Sequence, residues 1–199
     1  YKDADKNVIS SHFGIQKMQA ILTQLHDGIQ TLKPKNRNSI WNQYYELHAY
    51  EDAHKKIEFV EKKLDSLSPK IVIDMGANTG KYALIAEKYA AHVIAIDSDE
   101  SSIDHLYHDV KNKSIVKISP IVADIVHPSP AIGWNLEERK SLLERLPKNS
   151  TVLALAITHH LFITSDIRWE MMVRFFSEFA AHLLVEFISP EDIQSQTLM

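Results

Sequence analysis

The sequence predicts an α/β fold built on a doubly wound, mostly parallel sheet. Three observations carry this. Short runs rich in Val, Ile and Leu recur from Ile71 onward, helical patterns separate them, and the connections between the two are mostly short. Strands joined through crossover helices pair in parallel, and their helices then cover both faces of the sheet. The strand runs are 71–75, 92–96, 115–123, 151–157 and 183–188, with Pro120 interrupting the third. Helical patterns fall at 80–89, 100–110, 136–146 and 166–182.

Upstream, Ile15, Met18, Ile21, Leu22, Leu25, Ile29 and Leu32 recur at three- and four-residue intervals, the pattern of an amphipathic helix with one apolar stripe. Pro34 ends it, and the polar stretch 33–38 reads as a linker. The expected division is an N-terminal helical segment, 1–38, and a main domain, 39–199. The segment's helix is a candidate surface for an oligomer or a partner. A second helix carries Ala53, Ile57, Val60, Leu64 and Leu67 on one face and stops before Pro69, because a residue preceding proline is pushed out of the α region.

Composition removes several function classes. With 22 Lys and Arg against 26 Asp and Glu, the net charge of −4 gives no electrostatic basis for a broad nucleic-acid footprint. The absence of cysteine excludes disulfides, iron–sulfur clusters and thiolate zinc sites, and it suits a reducing cytoplasm. No apolar run approaches the roughly 20 residues that span a bilayer, and the first residues lack the order of a signal peptide, so no membrane association is expected.

Of only five glycines, Gly76 and Gly80 bracket one tight loop in IVIDMGANTGKYALIAEKYA, between the first strand and its helix. Ligands of open parallel sheets bind at the carboxyl ends of the strands, where glycine lets backbone approach them. A nucleoside-triphosphate loop needs one more residue between its glycines and a hydroxyl after the lysine, whereas Tyr82 follows Lys81. A dinucleotide loop needs G-x-G-x-x-G, yet Asn78 stands at the second glycine and Asp74 would face an anionic pyrophosphate. S-adenosylmethionine carries a sulfonium and an ammonium, and for it an acid at the strand tip is favourable.

Asp97 ends the next strand, HVIAID, where a carboxylate accepts from both ribose hydroxyls of either NAD or S-adenosylmethionine. Asp124 closes IVADI, placed to accept from an adenine amine. Any one of these acids alone reads equally well as a helix cap or loop residue. Three at successive strand ends beside a glycine loop make a nucleoside site.

DMGANTG, AIDSDE and VADI together resemble the Rossmann-like, class I S-adenosylmethionine-dependent methyltransferases. WNQYY, DMGANTGKY, HPSPAIGW, LALAITHHL and VEFISPED resemble, more narrowly, a little-characterised bacterial group of them. The resemblance runs from about Ile40 to the end of the sequence. It implies methyl transfer from S-adenosylmethionine, leaving S-adenosylhomocysteine, with Asp74, Gly76, Asn78, Gly80, Asp97 and Asp124 on the cofactor. It also implies a further helix and an antiparallel strand pair after the fifth strand, which 199 residues leave little room for. A non-catalytic S-adenosylmethionine-binding regulatory module is the alternative.

Within such a fold the methyl acceptor sits over the loop after the fourth strand, which holds Thr158, His159 and His160. Histidine titrates near neutrality, so His159 or His160 is the candidate general base, against a purely structural role in capping or positioning. No metal is expected, because no second metal-ligand motif accompanies the pair. HPSPAIGW forms a stiff turn presenting Trp134, and SIWNQYYELHAY gathers Trp41 and Tyr44; these three aromatics are the candidate acceptor walls, or else plain packing. The acceptor, a small molecule or otherwise, has no signature.

Overall fold

The computed structural model describes residues 14–32 and 53–189. The chain divides into two compact units, Tyr1–Arg37 and Asn38–Met199. Within the first, helix α1 runs Ile15–Thr31 and begins at Gly14 without a side-chain cap. Its apolar stripe, from Ile15 through Ile29, is exposed.

Among the described residues of the second unit, the first element is helix α2, Ala53–Leu67, which stops ahead of Pro69 as the proline rule requires. Then come β1 (Ile71–Met75), α3 (Lys81–Ala86), β2 (His92–Asp97), α4 (Glu100–Asn112), β3 (Ile118–Val122), α5 (Leu142–Arg145), β4 (Ser150–Ala154), α6 (Thr158–Ile163), α7 (Trp169–Ser177) and β5 (Ala180–Val185). The strands form one sheet in the order β3-β2-β1-β4-β5. Every pairing is parallel. The chain reverses its direction of travel across the sheet between β1 and β4, which makes their carboxyl ends the switch point.

Side chains alternate along each strand, so each face has its own core. Val72, Val93 and Ala95 pack with Val60 and Leu64 of α2, Ala83 and Ala86 of α3, and Leu106 of α4. Ile73, Met75, Ile96 and Val152 pack on the other face with Leu161 of α6 and with Met172 and Phe176 of α7. Pro120 lies inside β3 opposite Ala95, which is tolerated because β3 is an edge strand.

Several boundaries differ from the sequence reading. The run 151–157 is strand only through Ala154, because Ala156 turns left-handed at φ 54° and α6 starts at Thr158. The pattern 136–146 is helical only from Leu142. Asn135 and Leu136 have φ 54° and 60°, Ile132 bridges Arg139, and a capping box of Ser141 with Glu144 sets the later start. The helix expected to reach residue 182 ends at Ser177, and pairing of Ser150 with Ala180 draws the following residues into β5.

Candidate functional site

After β1 the chain turns through the glycine loop, where Gly76, Asn78 and Gly80 adopt φ 75°, 51° and 83°. A Cβ on Gly76 would meet Ile157 Cδ1 at 2.8 Å, and one on Gly80 would meet Leu106 Cδ1 at 2.3 Å, so both positions exclude side chains. The amides of Gly76 and Ala77 both donate to the Ile96 carbonyl, at 2.9 and 3.0 Å, which lays the loop against the tip of β2. Asn78 stays in the left-handed region while its Oδ1 accepts from the Thr79 amide at 2.6 Å.

Asp97 ends β2 and organises the rim. Its Oδ2 accepts from the Asn78 amide at 2.7 Å and its Oδ1 from the Asp99 amide at 2.9 Å. Burial raises its pKa, and the two amide hydrogen bonds only partly offset that. Asp99 caps α4, accepting from the Ser101 amide and from Ser102 Oγ at 2.7 Å. Asp124 lies past the end of β3, more exposed than the other two. Burial works to raise its pKa, but hydrogen bonds from the Val126 amide and His127 outweigh that, so it stays a carboxylate.

A cavity of about 380 Å³ opens between these tips, within the size range of cofactor sites. Gly76, Asn78, Asp97 and Asp124 line it together with His160. Residues 158–163, expected as a loop, form helix α6, whose winding turns the two adjacent histidines in different directions. His160 faces the cavity while His159 is buried beside it, their ring centroids 4.1 Å apart. Burial, and then the neighbouring His159, lowers the His160 pKa to about 4, so its imidazole is neutral at pH 7.

Other expected residues lie elsewhere. Asp74 is buried below the loop, Gly80 closes the loop under Leu106, and Trp134 projects outward with 86% of its surface exposed. Neither Asp74, Gly80 nor Trp134 lines the cavity. Trp41 and Tyr44 lie outside the described residues. Sequence reasoning missed Ser98, Asp99, His127, Ala156, Thr164 and Ser165, all of which line the cavity. Asp99 stands two residues past the strand end in SDE, and nothing local in the sequence separates it from a surface acid; the others carry no signal outside the fold.

Two features test the fit of an adenosyl sulfonium compound. The cavity wall holds Asp97, Asp99 and Asp124 and no lysine or arginine, so it suits a cationic ligand and opposes a pyrophosphate. Beneath the loop, Asp74 is 2% exposed and its Oδ2 has no hydrogen-bond partner. Burial, followed by the charge of Asp97, raises the Asp74 pKa to about 7, and a nearby cation would restore the carboxylate. The residues present fit. Among the described residues, no three His, Cys, Asp or Glu side chains are grouped to hold a metal, and no helix is long and apolar enough to cross a membrane.

The bifunctional kinase-methyltransferase WbdD is similar in structure, with a TM-score of 0.59 at 16% identity, over 88% of this chain and 38% of that one. A Staphylococcus aureus protein assigned as a caffeoyl-CoA O-methyltransferase gives a TM-score of 0.51 at 11% identity, over 85% of this chain and 73% of that one. The fold is that of the Rossmann-like methyltransferases. Within this methyltransferase fold, the acid-lined cavity lies at the switch point between β1 and β4. In sequence, the chain is 30% identical over 178 residues to nodulation protein NoeA of Rhizobium meliloti (strain 1021), covering 87% of this chain and 37% of that protein. It thus spans well under half the length of that curated relative. No family model matches.

Proposed function

We propose that this domain binds S-adenosylmethionine and transfers its methyl group to an acceptor molecule. The observation that carries the reading is the charge of the cavity: three aspartates and no lysine or arginine on its wall, with a fourth aspartate beneath it whose Oδ2 has no hydrogen-bond partner. When bound, the cofactor supplies an electrophilic methyl group on a sulfonium, which needs no metal.

The chain's own residues bind and orient. Asp97 keeps lone pairs for the ribose hydroxyls, because each of its oxygens is already aimed by one backbone amide. Asp124, on the cavity wall, is the proposed acceptor for an adenine amine, and Ile125, Val126 and Leu161 supply apolar wall. Gly76 and Asn78 bring bare backbone to the cofactor's methionine end. Methyl transfer to a protonated atom releases a proton, and the neutral His160 is the group assigned to accept it, with His159 packed against it. Of the aromatic acceptor candidates, Trp41 and Tyr44 are kept as proposed acceptor contacts, whereas Trp134 projects away from the cavity.

The test is thermal denaturation with S-adenosylhomocysteine or with NAD. A ligand at 100 times its Kd adds about 2.7 kcal/mol of stability. The expected result is a rise in Tm with S-adenosylhomocysteine alone; protection by NAD alone overturns the reading. Labelled-methyl incorporation into metabolite pools then separates a transferase from a silent binding module.

A further inference from the structure

The apolar stripe of helix α1 has no part in the proposed cofactor site. Ile15, Met18, Leu22, Leu25, Ile29 and Leu32 follow one another at intervals of three, four, three, four and three residues. Each of the six is more than half exposed. Together they keep a strict heptad, with Ile15, Leu22 and Ile29 at its a positions and Met18, Leu25 and Leu32 at its d positions. The first five lie within the helix, and Leu32 is its C-terminal cap.

The width of the stripe decides what can cover it. A helix that packs on a globular surface offers three or more apolar positions in seven, whereas a seam of a and d alone fits a second helix with the same repeat. Here the e positions hold Gln19 and His26 and the g positions within the helix hold Ile21 and Gly28, so Ile21 alone widens the seam. A coiled-coil partner of different sequence is selected by charges at e and g, and no lysine, arginine, aspartate or glutamate stands there. A membrane surface calls for a basic polar face, yet Lys17 is the helix's single lysine or arginine. Lys17 and Asp27 occupy c and f, away from the seam, so two identical helices meet no like charge across it. Isoleucine at two of the three a positions, with leucine at two of the three d positions, is the combination that favours parallel, two-stranded coils.

We infer that α1 pairs with α1 of a second copy of this chain in a parallel, two-stranded coiled coil. Each a residue then faces its own counterpart, each d residue does the same, and both copies leave the coil at the same end. From Ile15 to Leu32 the seam runs for about two and a half heptads, short of the three to four that sustain a coiled coil unaided. The dimer therefore dissociates on dilution. None of this depends on which cofactor the second unit binds.

The test is sedimentation equilibrium of the full chain over a range of concentrations. The unaltered protein is expected to move from twice the chain's mass to the mass of one chain on dilution. Leu22→Glu with Leu25→Glu places charges in the seam and is expected to raise the dissociation constant by about a hundredfold or more. Ala20→Glu puts the same charge at f, on the far side of the helix, and leaves the dimer intact. Because the chain has no cysteine, a single introduced thiol then reads the register even if the double variant unwinds the helix. With oxygen and a copper catalyst, Ile29→Cys, near one end of the seam, is expected to link two copies through a disulfide, and Ala20→Cys is not. A single-chain mass at every concentration overturns the inference, and so does a mass of three chains or more. Dimers retained by the double variant overturn it too, because another face then holds the copies. Failure of Ile29→Cys to cross-link in a protein that does dimerise overturns the parallel pairing, since in an antiparallel coil the two Ile29 positions lie at opposite ends.

Discussion

The backbone amide of Asn78 donates to Asp97 Oδ2 at 2.7 Å, so the glycine loop after β1 is moored to the acid at the end of β2. One carboxylate thereby has two jobs, shaping the loop and presenting lone pairs to the cavity. Asp97→Ala therefore costs more than a ligand contact. Calorimetry should detect no S-adenosylhomocysteine binding by Asp97→Ala, and the loop amides of Asn78 and Asp99 should exchange hydrogen faster. Asp97→Asn, which keeps one amide acceptor, should retain the loop's protection while binding less tightly. Full affinity in Asp97→Ala would contradict the assignment.

Asp74 makes stability depend on pH in a definite direction. Its pKa is raised from 3.8 to about 7 in the folded chain, so the folded state binds the proton more tightly than the unfolded. The resulting stability is complete below pH 3.8 and is lost as pH rises through 7. Asp74→Asn removes this loss. Relative to the unaltered protein it should gain stability at pH 8 compared with pH 6, by about 1 kcal/mol, while weakening S-adenosylhomocysteine. Urea denaturation at the two pH values measures the first effect and titration the second.

His160 works with the opposite sign. Its pKa falls from 6.5 to about 4 on folding, so the unfolded chain takes up the proton first. The neutral ring's contribution is intact above pH 6.5 and is lost as pH falls toward 4. His160→Gln, uncharged throughout, should lose less stability between pH 7 and pH 5 than the unaltered protein does. Parallel denaturation curves for the two across that interval would refute the buried, neutral placement of the ring.

Gly80 is held by sterics as well as by its φ of 83°. A methyl group there would lie 2.3 Å from Cδ1 of the fully buried Leu106, which would have to shift. Gly80→Ala should cost about 2–4 kcal/mol in urea denaturation, from backbone strain and overpacking together. By contrast, Ala156→Gly relieves a left-handed alanine at φ 54° and should be neutral or stabilising by up to about 1 kcal/mol.

The order of strands and helices was readable because each element buries a face whose period, two or 3.6 residues, is written locally in Val, Ile and Leu. The loop holding Gly76 and Gly80 was readable for a similar reason, since left-handed backbone favours few residue types. Asp97 and Asp124 stood out because acids at strand ends are sparse in an apolar pattern. Where two periods overlapped, as at Phe175 to Leu184, the boundary between α7 and β5 was settled by pairing with β4, which is not a local property.

The linear chain by itself determined an alternating α/β architecture and the chemistry at the tip of each strand, because both follow from neighbours in sequence. Only the tertiary structure decided that His160 and not His159 lines the cavity, that Trp134 points away from it, and that Lys56 meets Glu186 across 130 positions. Those outcomes depend on which helix face turns toward the sheet and on which strands become neighbours. Contacts among residues far apart in sequence settle both, and no periodicity records them.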